Sequence, residues 1–378
     1  MDREGDSMYA KGQTIIQLIE ELAPKSLALP DDKIGLQVGS LNKEIKKVMV
    51  TLDILENVVD EAIAKEVDLI ISHHAVIYKP LKNLRTDLPQ GKIYEKLIKA
   101  DISVYVAHTN LDMADGGVND VLSQQLELED ITLLEEHTNQ KLKKFVVFVP
   151  KDHQQVIIDA ISSAGAGWIG NYSHCTFNIE GTGTFMPREG TTPFIGKQNQ
   201  LEQVEEVRIE TIIPEEKQNQ IIKAMLHVHP YEEVAYDIYP VEIKGKSYGI
   251  GRIGKLKQPM KFYDFANFVK GKLGVKAVRA IGNLDQEIKK VAVVGGDGNS
   301  FVSKASFRGA DVLVTGDIYY HTAHEALANG LTIIDAGHNI EKNILPILNS
   351  FLQTELKNRK YSTEVIISET DTNPFQFI

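Results

Sequence analysis

The stretch IKKVMVTLD at residues 45–53 is an apolar, β-branched run of the kind that forms a buried strand. Its first four residues recur 243 positions further on, in IKKVAVVGG at residues 288–296. The same offset brings VDLIISHHAVIY (67–78) onto ADVLVTGDIYYH (310–321), and both are apolar runs that lead into polar residues. Two matches at one offset predict an internal duplication.

A third pair of runs extends the repeat. ISVYVAHTNLD (102–112) matches LTIIDAGHNIE (331–341), which lies 229 positions further on because a loop is shorter in the second copy. Helical patterns such as ENVVDEAIAKE (56–66) and SKASFRGA (303–310) separate the strands. Alternating strands and helices indicate parallel βαβ units. The predicted fold class is therefore α/β, with two similar α/β lobes.

The segment 129–245 belongs to neither copy. Its patterns follow the order strand, helix, strand, strand, helix, strand, which is that of a split βαβ unit. We therefore expect a first lobe at 1–128, an inserted ferredoxin-like (α+β) domain at 129–245, and a second lobe at 246–378 that completes the core domain. Within the insert, the histidines and glutamates of HVHPYEEVAYD (227–237) are more typical of a solvated or interface surface than of a second metal site.

Composition excludes several classes of protein. The 378 residues are 43% hydrophobic and carry a net charge of -11, which disfavours nucleic acid and anionic lipid as partners. No apolar run approaches the roughly 20 residues that span a bilayer, so we expect no membrane association and a cytoplasmic location. Cys175 is the single cysteine, so no internal disulfide forms. Residues 1–7 are expected to be disordered.

Candidate metal ligands follow the apolar runs. His73 and His74 come directly after a predicted strand, where open α/β sheets bind ligands. Asp112 and Glu341 occupy matching positions in the third pair of runs, and His338 precedes Glu341 by one helical turn. Histidines and carboxylates together can hold two divalent ions. The alternative is that these side chains only line strand ends.

Three further residues are weaker candidates. His108 lies four positions before Asp112 and is a possible additional ligand. Asp317 aligns with His74 in the repeat, so we expect it to face the same cleft and to orient ligands or contact substrate. His321 follows on the same segment and is expected in that role too.

Three glycines, Gly295, Gly296 and Gly298, lie in VVGGDGNS after a predicted strand. Their backbone amides could cradle a phosphate group. A simple strand-to-helix turn is the alternative.

Several motifs together resemble the NIF-three-like family of GTP cyclohydrolase 1 type 2 homologues, in its longer bacterial form; they are ISHHAVIY, AHTNLDMADGGVN, DDKIGLQVG, GRIG, TGDIYYH and AGHNIEK. The resemblance implies a dinuclear metal centre between two lobes and a toroidal homohexamer. Its ligands carry over onto His73, His74, Asp112, His338 and Glu341, with His108 as a further candidate. The insert is similar to the PII and CutA trimeric folds, which implies a role in assembly or sensing.

The expected function is that of a metal-dependent hydrolase. Two divalent ions per subunit, zinc, iron or manganese, would lower the pKa of a bridging water, and this water rather than a side chain would be the catalytic group. The resemblance suggests a nucleotide such as GTP, or a related small molecule, as substrate. A non-catalytic metal-binding protein with a regulatory, storage or scaffold role is the alternative, and the sequence does not decide whether the chain is an enzyme.

Overall fold

The computed structural model describes residues 8–378, so the disorder expected for residues 1–7 lies outside the described part of the chain. The α-helices are α1 Gly12–Leu22, α2 Glu56–Ala64, α3 Pro89–Lys99, α4 Thr109–Met113, α5 Val118–Gln125, α6 Gln154–Ser163, α7 Gln218–Val228, α8 Phe262–Lys272, α9 Val302–Phe307, α10 Tyr320–Ala328 and α11 Leu345–Asn358. Short 3₁₀ helices are Lys25–Leu27, Lys151–His153, Glu215–Lys217, Asn299–Phe301 and His338–Ile344. None of the helices within residues 8–378 has the length and apolar character needed to cross a bilayer.

The strands are β1 Ala10–Lys11, β2 Gly35–Val38, β3 Glu44–Ile45, β4 Lys47–Thr51, β5 Leu69–Ser72, β6 Ser103–Val106, β7 Glu129–Leu133, β8 Thr138–Asn139, β9 Leu142–Pro150, β10 Thr176–Phe185, β11 Glu202–Pro214, β12 Tyr236–Pro240, β13 Ser247–Tyr248, β14 Arg252–Lys261, β15 Arg279–Ile281, β16 Glu287–Asp297, β17 Val312–Gly316, β18 Thr332–Asp335 and β19 Glu364–Ile367. Helices and strands together make the chain a mixed α/β protein.

The chain divides into two compact units, one of residues 8–137 and 248–378 and the other of residues 138–247. In the first unit, a five-stranded sheet has the order β19-β4-β5-β6-β2, in which β19, β4, β5 and β6 are parallel. A six-stranded sheet has the order β15-β18-β17-β16-β14-β7, in which β16, β17 and β18 are parallel. Every residue of β5, β6, β17 and β18 is buried, as expected for parallel strands covered on both faces.

The two parallel sets carry the same side-chain hydrogen bonds. Asp68, just before β5, accepts hydrogen bonds from the backbone amides of residues 46–47 at 2.7 and 3.0 Å. Asp311, just before β17, does the same for residues 289–290 at 2.9 and 2.7 Å. Each donor and acceptor of the second set lies 243 positions after its equivalent in the first. The shared offset therefore relates contacts as well as sequence.

A second contact repeats at this offset. The Lys47 ammonium donates to the carbonyl oxygen of Lys65 at 2.9 Å, which closes the end of α2. The Lys290 ammonium donates to the carbonyl oxygen of Arg308 at 2.6 Å, at the end of α9. Both lysines satisfy a helix carbonyl that has no partner within its own helix.

The second unit contains a four-stranded antiparallel sheet in the order β10-β11-β9-β12, with α6 and α7. Along the chain, these elements run strand, helix, strand, strand, helix, strand, in the order of a split βαβ unit. The unit begins at residue 138 rather than 129, because Glu129–Leu133 pairs with Arg252–Lys261 in the six-stranded sheet of the first unit. Its core contains Phe145, Ile157, Ile209 and Met225, all fully buried.

Candidate metal centre

Polar side chains converge where the parallel strands of the first unit end. His73 and His74 follow β5 directly, and Asp112 lies in α4, which begins three residues after β6. His338 and Glu341 lie in the 3₁₀ helix that follows β18. Each of the five residues therefore sits beyond the carboxyl end of a parallel strand, which is where ligands bind in open α/β sheets.

The ligand atoms of these residues form three overlapping groups that could hold a metal ion. Within each group, the candidate ligand atoms lie within 4.8 Å of one another. The groups are His73, Asp112 and Glu341; His74, His338 and Glu341; and His73, His74 and His108. Glu341 is common to the first two groups, so one carboxylate could serve two neighbouring ions.

The second group is packed closely. Glu341 Oε2 lies 2.9 Å from His74 Nε2 and 3.2 Å from His338 Nε2, and the two ring nitrogens are 3.3 Å apart. The Glu341 side chain is 4% exposed. Two imidazole nitrogens that face each other beside a buried carboxylate suit a shared cation, because each neutral nitrogen offers a lone pair to it.

The first group contains two buried polar atoms with no hydrogen-bond partner. His73 Nε2 and Asp112 Oδ1 are both inaccessible to solvent and unpaired. They lie 3.7 Å apart, and His73 Nε2 is also 3.7 Å from Glu341 Oε2. Leaving such atoms unpaired costs about 1–3 kcal/mol each. Separations of 3.7 Å are too long for a hydrogen bond, whereas a cation with ligands at ~2 Å would satisfy these atoms at once.

In both histidine rings of the second group, the Nδ1 atom lies within hydrogen-bond distance of a carboxylate oxygen. His74 Nδ1 lies 2.7 Å from Asp53 Oδ1, and His338 Nδ1 lies 2.6 Å from Asp317 Oδ2. When Nδ1 carries the proton and donates it to the carboxylate, Nε2 keeps its lone pair for a cation. Both rings of the second group therefore point a basic nitrogen at Glu341.

The remaining two rings follow the same pattern. His73 Nδ1 lies 2.9 Å from the carbonyl oxygen of Ala107, and His108 Nδ1 lies 2.9 Å from Asp32 Oδ1. Asp32 is fixed in turn by the backbone amide of Thr109 at 3.0 Å. An oxygen partner on each Nδ1 is typical of histidines that bind metals.

The carboxylates and histidines of the cluster shift one another's pKa values. Burial, followed by the negative charge of Glu341, raises the pKa of Asp112 to about 6. Burial alone would raise the pKa of Glu341 too, but the charge of His73 and the hydrogen bond from His338 hold it well below its usual range. The hydrogen bond to Glu341 raises the pKa of His338 to about 9. Protons and a metal ion would therefore compete for the same atoms.

Most of the predicted site residues lie in this cluster. Asp317 lies beside His338 Nδ1 in this cluster, while His321 lies in α10 and belongs to none of the three groups found among residues 8–378. The sequence analysis did not identify Asp53 or Asp32. The available signal was their position, because Asp53 follows β4 by two residues and Asp32 lies within the quoted motif DDKIGLQVG.

Gly295 and Gly296, near the end of β16, leave room for the Glu341 side chain. A Cβ atom on Gly296 would lie 2.5 Å from Glu341 Oε1, and one on Gly295 would lie 3.2 Å from Glu341 Cγ. The amide of Gly295 donates to the side chain of Asn119 at 2.9 Å, and that of Gly298 donates to the Gly316 carbonyl at 3.3 Å. Two of the three amides proposed to cradle a phosphate thus already have protein partners.

Comparison with known proteins gives the family. The family model described as Duf34/NIF3 (NGG1p interacting factor 3) matches residues 10–374. The chain belongs to the Duf34/NIF3 family. Among its curated Duf34/NIF3 relatives, proteins named GTP cyclohydrolase 1 type 2 homolog are 52% identical in Bacillus subtilis and 51% identical in Halalkalibacterium halodurans. These alignments cover 97% and 98% of this chain, and 98% and 99% of the relatives.

A solved structure of the Duf34/NIF3 family shares the fold. The crystal structure of a Bacillus cereus protein related to NIF3 superposes with a TM-score of 0.93 at 50% identity, over 98% of this chain and 100% of that one. The predicted resemblance to this family is therefore confirmed.

Proposed function

We propose that this Duf34/NIF3 protein binds two divalent metal ions at the cluster and acts as a metal-dependent hydrolase. The observation that carries the proposal is the unpaired, buried pair of His73 Nε2 and Asp112 Oδ1 beside a carboxylate common to two ligand groups. One ion would be held by His73, Asp112 and Glu341, and the other by His74, His338 and Glu341. His108 is a further candidate ligand, and zinc, iron and manganese all suit such donors.

Divalent ions bound here would supply hydroxide at neutral pH and polarise the oxygen under attack. The chain's own groups prepare the site for them. With ions bound, Asp53 and Asp317 would accept the Nδ1 protons of His74 and His338, which would leave both Nε2 lone pairs free for the ions. The Asp53 carboxylate also accepts a hydrogen bond from the Thr372 hydroxyl, which fixes the acceptor of His74 independently of any ion.

Access to the cluster favours catalysis over storage. The buried side is formed by His73 and Glu341, whose side chains are 1% and 4% exposed. The other side is open, since the side chains of His74, His108 and His338 are 23%, 31% and 37% exposed. Catalytic metal sites keep a position open to water or substrate, whereas structural sites are closed. The names of the relatives suggest GTP or a related nucleotide as the first substrate to test.

The deciding experiment is elemental analysis of purified protein followed by a hydrolase screen that includes GTP. Asp112→Ala should lose at least one of the two ions and the turnover, whereas Asp60→Ala, which changes an exposed carboxylate on α2, should lose neither. Unchanged metal content in Asp112→Ala would refute the site. Metal loss without turnover in either protein would favour a regulatory, storage or scaffold role.

We also propose that the two parallel strand sets arose by internal duplication and that residues 138–247 form an inserted PII/CutA-like domain. The repeated contacts of Asp68 and Asp311 support the duplication.

From the family resemblance we further propose a toroidal homohexamer in the cytoplasm. Light scattering coupled to size-exclusion chromatography would test the assembly, and a monomer or dimer would contradict it.

A further inference from the structure

The second unit contains a cavity of about 290 Å³ that is unrelated to the candidate metal ligands. It lies between the end of β10, the loop at residues 186–195, and the turn at residues 231–235 before β12. Its volume is close to that of the smaller pockets that hold small molecules in proteins. The turn contains the glutamates of HVHPYEEVAYD, a motif that the proposed hydrolase does not use.

Aromatic rings form much of the cavity wall. Phe148, Phe185, Phe194 and Tyr231 all line it. The Tyr231 ring centroid lies 5.9 Å from that of Phe185 and 6.4 Å from that of Phe194. The faces of such rings carry negative electrostatic potential and attract organic cations.

The charged groups of the cavity are all acidic. Glu206, Glu232 and Glu233 line it, and no lysine or arginine is among the described residues that do so. Glu206 accepts a hydrogen bond from the Tyr231 hydroxyl at 2.9 Å, and Glu232 accepts one from the backbone amide of Thr192 at 3.0 Å. An ionised carboxylate can accept several hydrogen bonds, so both can still bind a cation. This charge disfavours anionic ligands.

Gly183 makes space for one of these carboxylates. A Cβ atom at this position would lie 2.1 Å from Glu206 Oε2, whereas one on Gly181, two residues earlier on β10, would meet nothing within 4 Å. An alanine at position 183 would therefore displace the Glu206 carboxylate. The same substitution at position 181 changes the strand in the same way and leaves the carboxylate in place.

A buried histidine positions the aromatic wall. His229 is 8% exposed, and burial lowers its pKa, so the ring is neutral near pH 7. Its Nε2 group donates to the carbonyl oxygen of Phe148 at 3.0 Å, and its Nδ1 accepts the backbone amide of Tyr231 at 3.1 Å. The ring thus ties together two segments that supply aromatic side chains.

We propose that this cavity is a binding site for a small organic ammonium ion, held by the aromatic rings of Phe185, Phe194 and Tyr231 and by the carboxylate of Glu206. The rings contact the alkyl groups of the cation, and the carboxylates balance its charge. A neutral molecule of the same shape would lose the electrostatic attraction to the aromatic rings and to the carboxylates. A hydrated metal ion would gain little from walls that are mostly apolar.

The test uses choline as the probe and 3,3-dimethylbutan-1-ol, its uncharged isostere, as the matched ligand. Isothermal titration calorimetry on the full chain at low ionic strength should show saturable choline binding, and the isostere should bind about tenfold more weakly. Absence of choline binding, or equal binding of the two compounds, would overturn the proposal.

Variants locate the binding within the cavity. Gly183→Ala and Glu206→Gln should each weaken choline binding by about tenfold, whereas Gly181→Ala should bind as the wild type does. Circular dichroism and metal content should be unchanged in all three, which separates this site from the candidate metal centre. Equal choline affinity in Gly183→Ala and Gly181→Ala would place the ligand elsewhere and refute the assignment.

Discussion

Glu341 depends on the absence of a side chain next to it. Its carboxylate faces His74 and His338, and its Oε1 atom occupies the space that a Cβ atom on Gly296 would fill. Gly296 also has a φ of +65°, a backbone conformation that residues with a Cβ atom adopt at a cost. Two separate physical reasons therefore require glycine at this position.

Gly296→Ala and Gly330→Ala separate these two reasons. Both glycines have positive φ, but a Cβ atom on Gly330 would meet nothing within 4 Å. Each variant should lose about 1–2 kcal/mol of unfolding free energy from backbone strain. Only Gly296→Ala should also lose metal, because it displaces Glu341. Chemical denaturation of the metal-free proteins and elemental analysis test this, and equal metal content in the two variants would contradict it.

Residue identity in the candidate site could be predicted only in part from the sequence. His73 and His74 could be predicted because they directly follow an apolar strand. Asp112 and Glu341 could be predicted because they occupy matching positions in the sequence repeat. Asp53 could not be predicted, because a single acidic residue near a strand end gives the same sequence pattern whether it is solvated or bonded to a histidine. That distinction depends on which ring lies 2.7 Å away, which the sequence pattern does not encode.

At the level of elements, Arg252 joins β14 to α5 and to the segment after α4. The Arg252 side chain is 4% exposed and makes an ion pair with Asp120, with Nη2 at 3.0 Å from Oδ2. Nη1 donates to the carbonyl oxygens of Gly249 and Gly251, and Nη2 to that of Ala114. The arginine of the GRIG motif therefore fixes the chain two residues beyond Asp112.

Arg252→Met should reduce the unfolding free energy by about 3–5 kcal/mol, because it leaves the Asp120 carboxylate without its cation. Arg308→Met, a matched change at an exposed arginine, should cost less than about 0.5 kcal/mol. Urea denaturation measures both. A double variant, Arg252→Met with Asp120→Leu, should recover part of the loss, and no recovery would show that the ion pair is not the main contribution.

Glu61 fixes the segment after β19 to α2. Its carboxylate accepts hydrogen bonds from the backbone amides of Glu369 and Thr370 and from the hydroxyls of Ser368 and Thr370. Burial acts to raise the pKa of Glu61, but these bonds and the one from the Lys65 ammonium at 2.9 Å outweigh it and lower the pKa from 4.5 to about 2. The carboxylate therefore stabilises the fold above pH 4.5, and the stabilisation is lost as the pH falls toward about 2.

Glu61→Gln should melt at a lower temperature than the wild type at neutral pH, and the difference should shrink as the pH falls below 4.5. Thermal unfolding followed by circular dichroism at neutral pH and at about pH 3 measures this. Glu44→Gln, at an exposed glutamate of β3, serves as the control and should follow the wild type at both values. A constant difference between Glu61→Gln and wild type would contradict the assigned pKa.

Elements differed in how well the sequence predicted them. The buried parallel strands are continuous apolar runs, so β4, β5, β6, β16, β17 and β18 could be located from the sequence. The strand Glu129–Leu133 could not, because none of its residues is buried and its sequence EDITL has no such run. Its pairing with β14 involves a partner more than 100 positions away, and this is why the expected insert boundary was nine residues too early.

At the scale of the whole molecule, the two units have separate cores. The buried cluster of residues 145–225 contains no residue of the first unit, whose own clusters contain none from 138–247. Within the first unit, the backbone amide of His137 donates to the carbonyl oxygen of Tyr248 at 2.9 Å. The two chain ends that flank residues 138–247 therefore lie next to each other.

Replacement of residues 138–247 by a glycine-serine linker of about four residues should leave a folded first unit. This deletion variant should retain the metal content of the full chain and lose choline binding. Elemental analysis and calorimetry test the two parts separately. Loss of metal from a variant that remains folded would show that the second unit is needed at the candidate metal centre.

The matching contacts at Asp68 and Asp311 have a consequence for symmetry. In a dimer of identical subunits, equivalent positions must carry the same amino acid. One polypeptide that contains both halves of the proposed duplication is free of this restriction, and at the shared offset of 243 positions His74 corresponds to Asp317. The first half can thus contribute His74 as a candidate ligand, whereas the second contributes Asp317, which orients the His338 ring. Two identical halves could not carry different residues at this position.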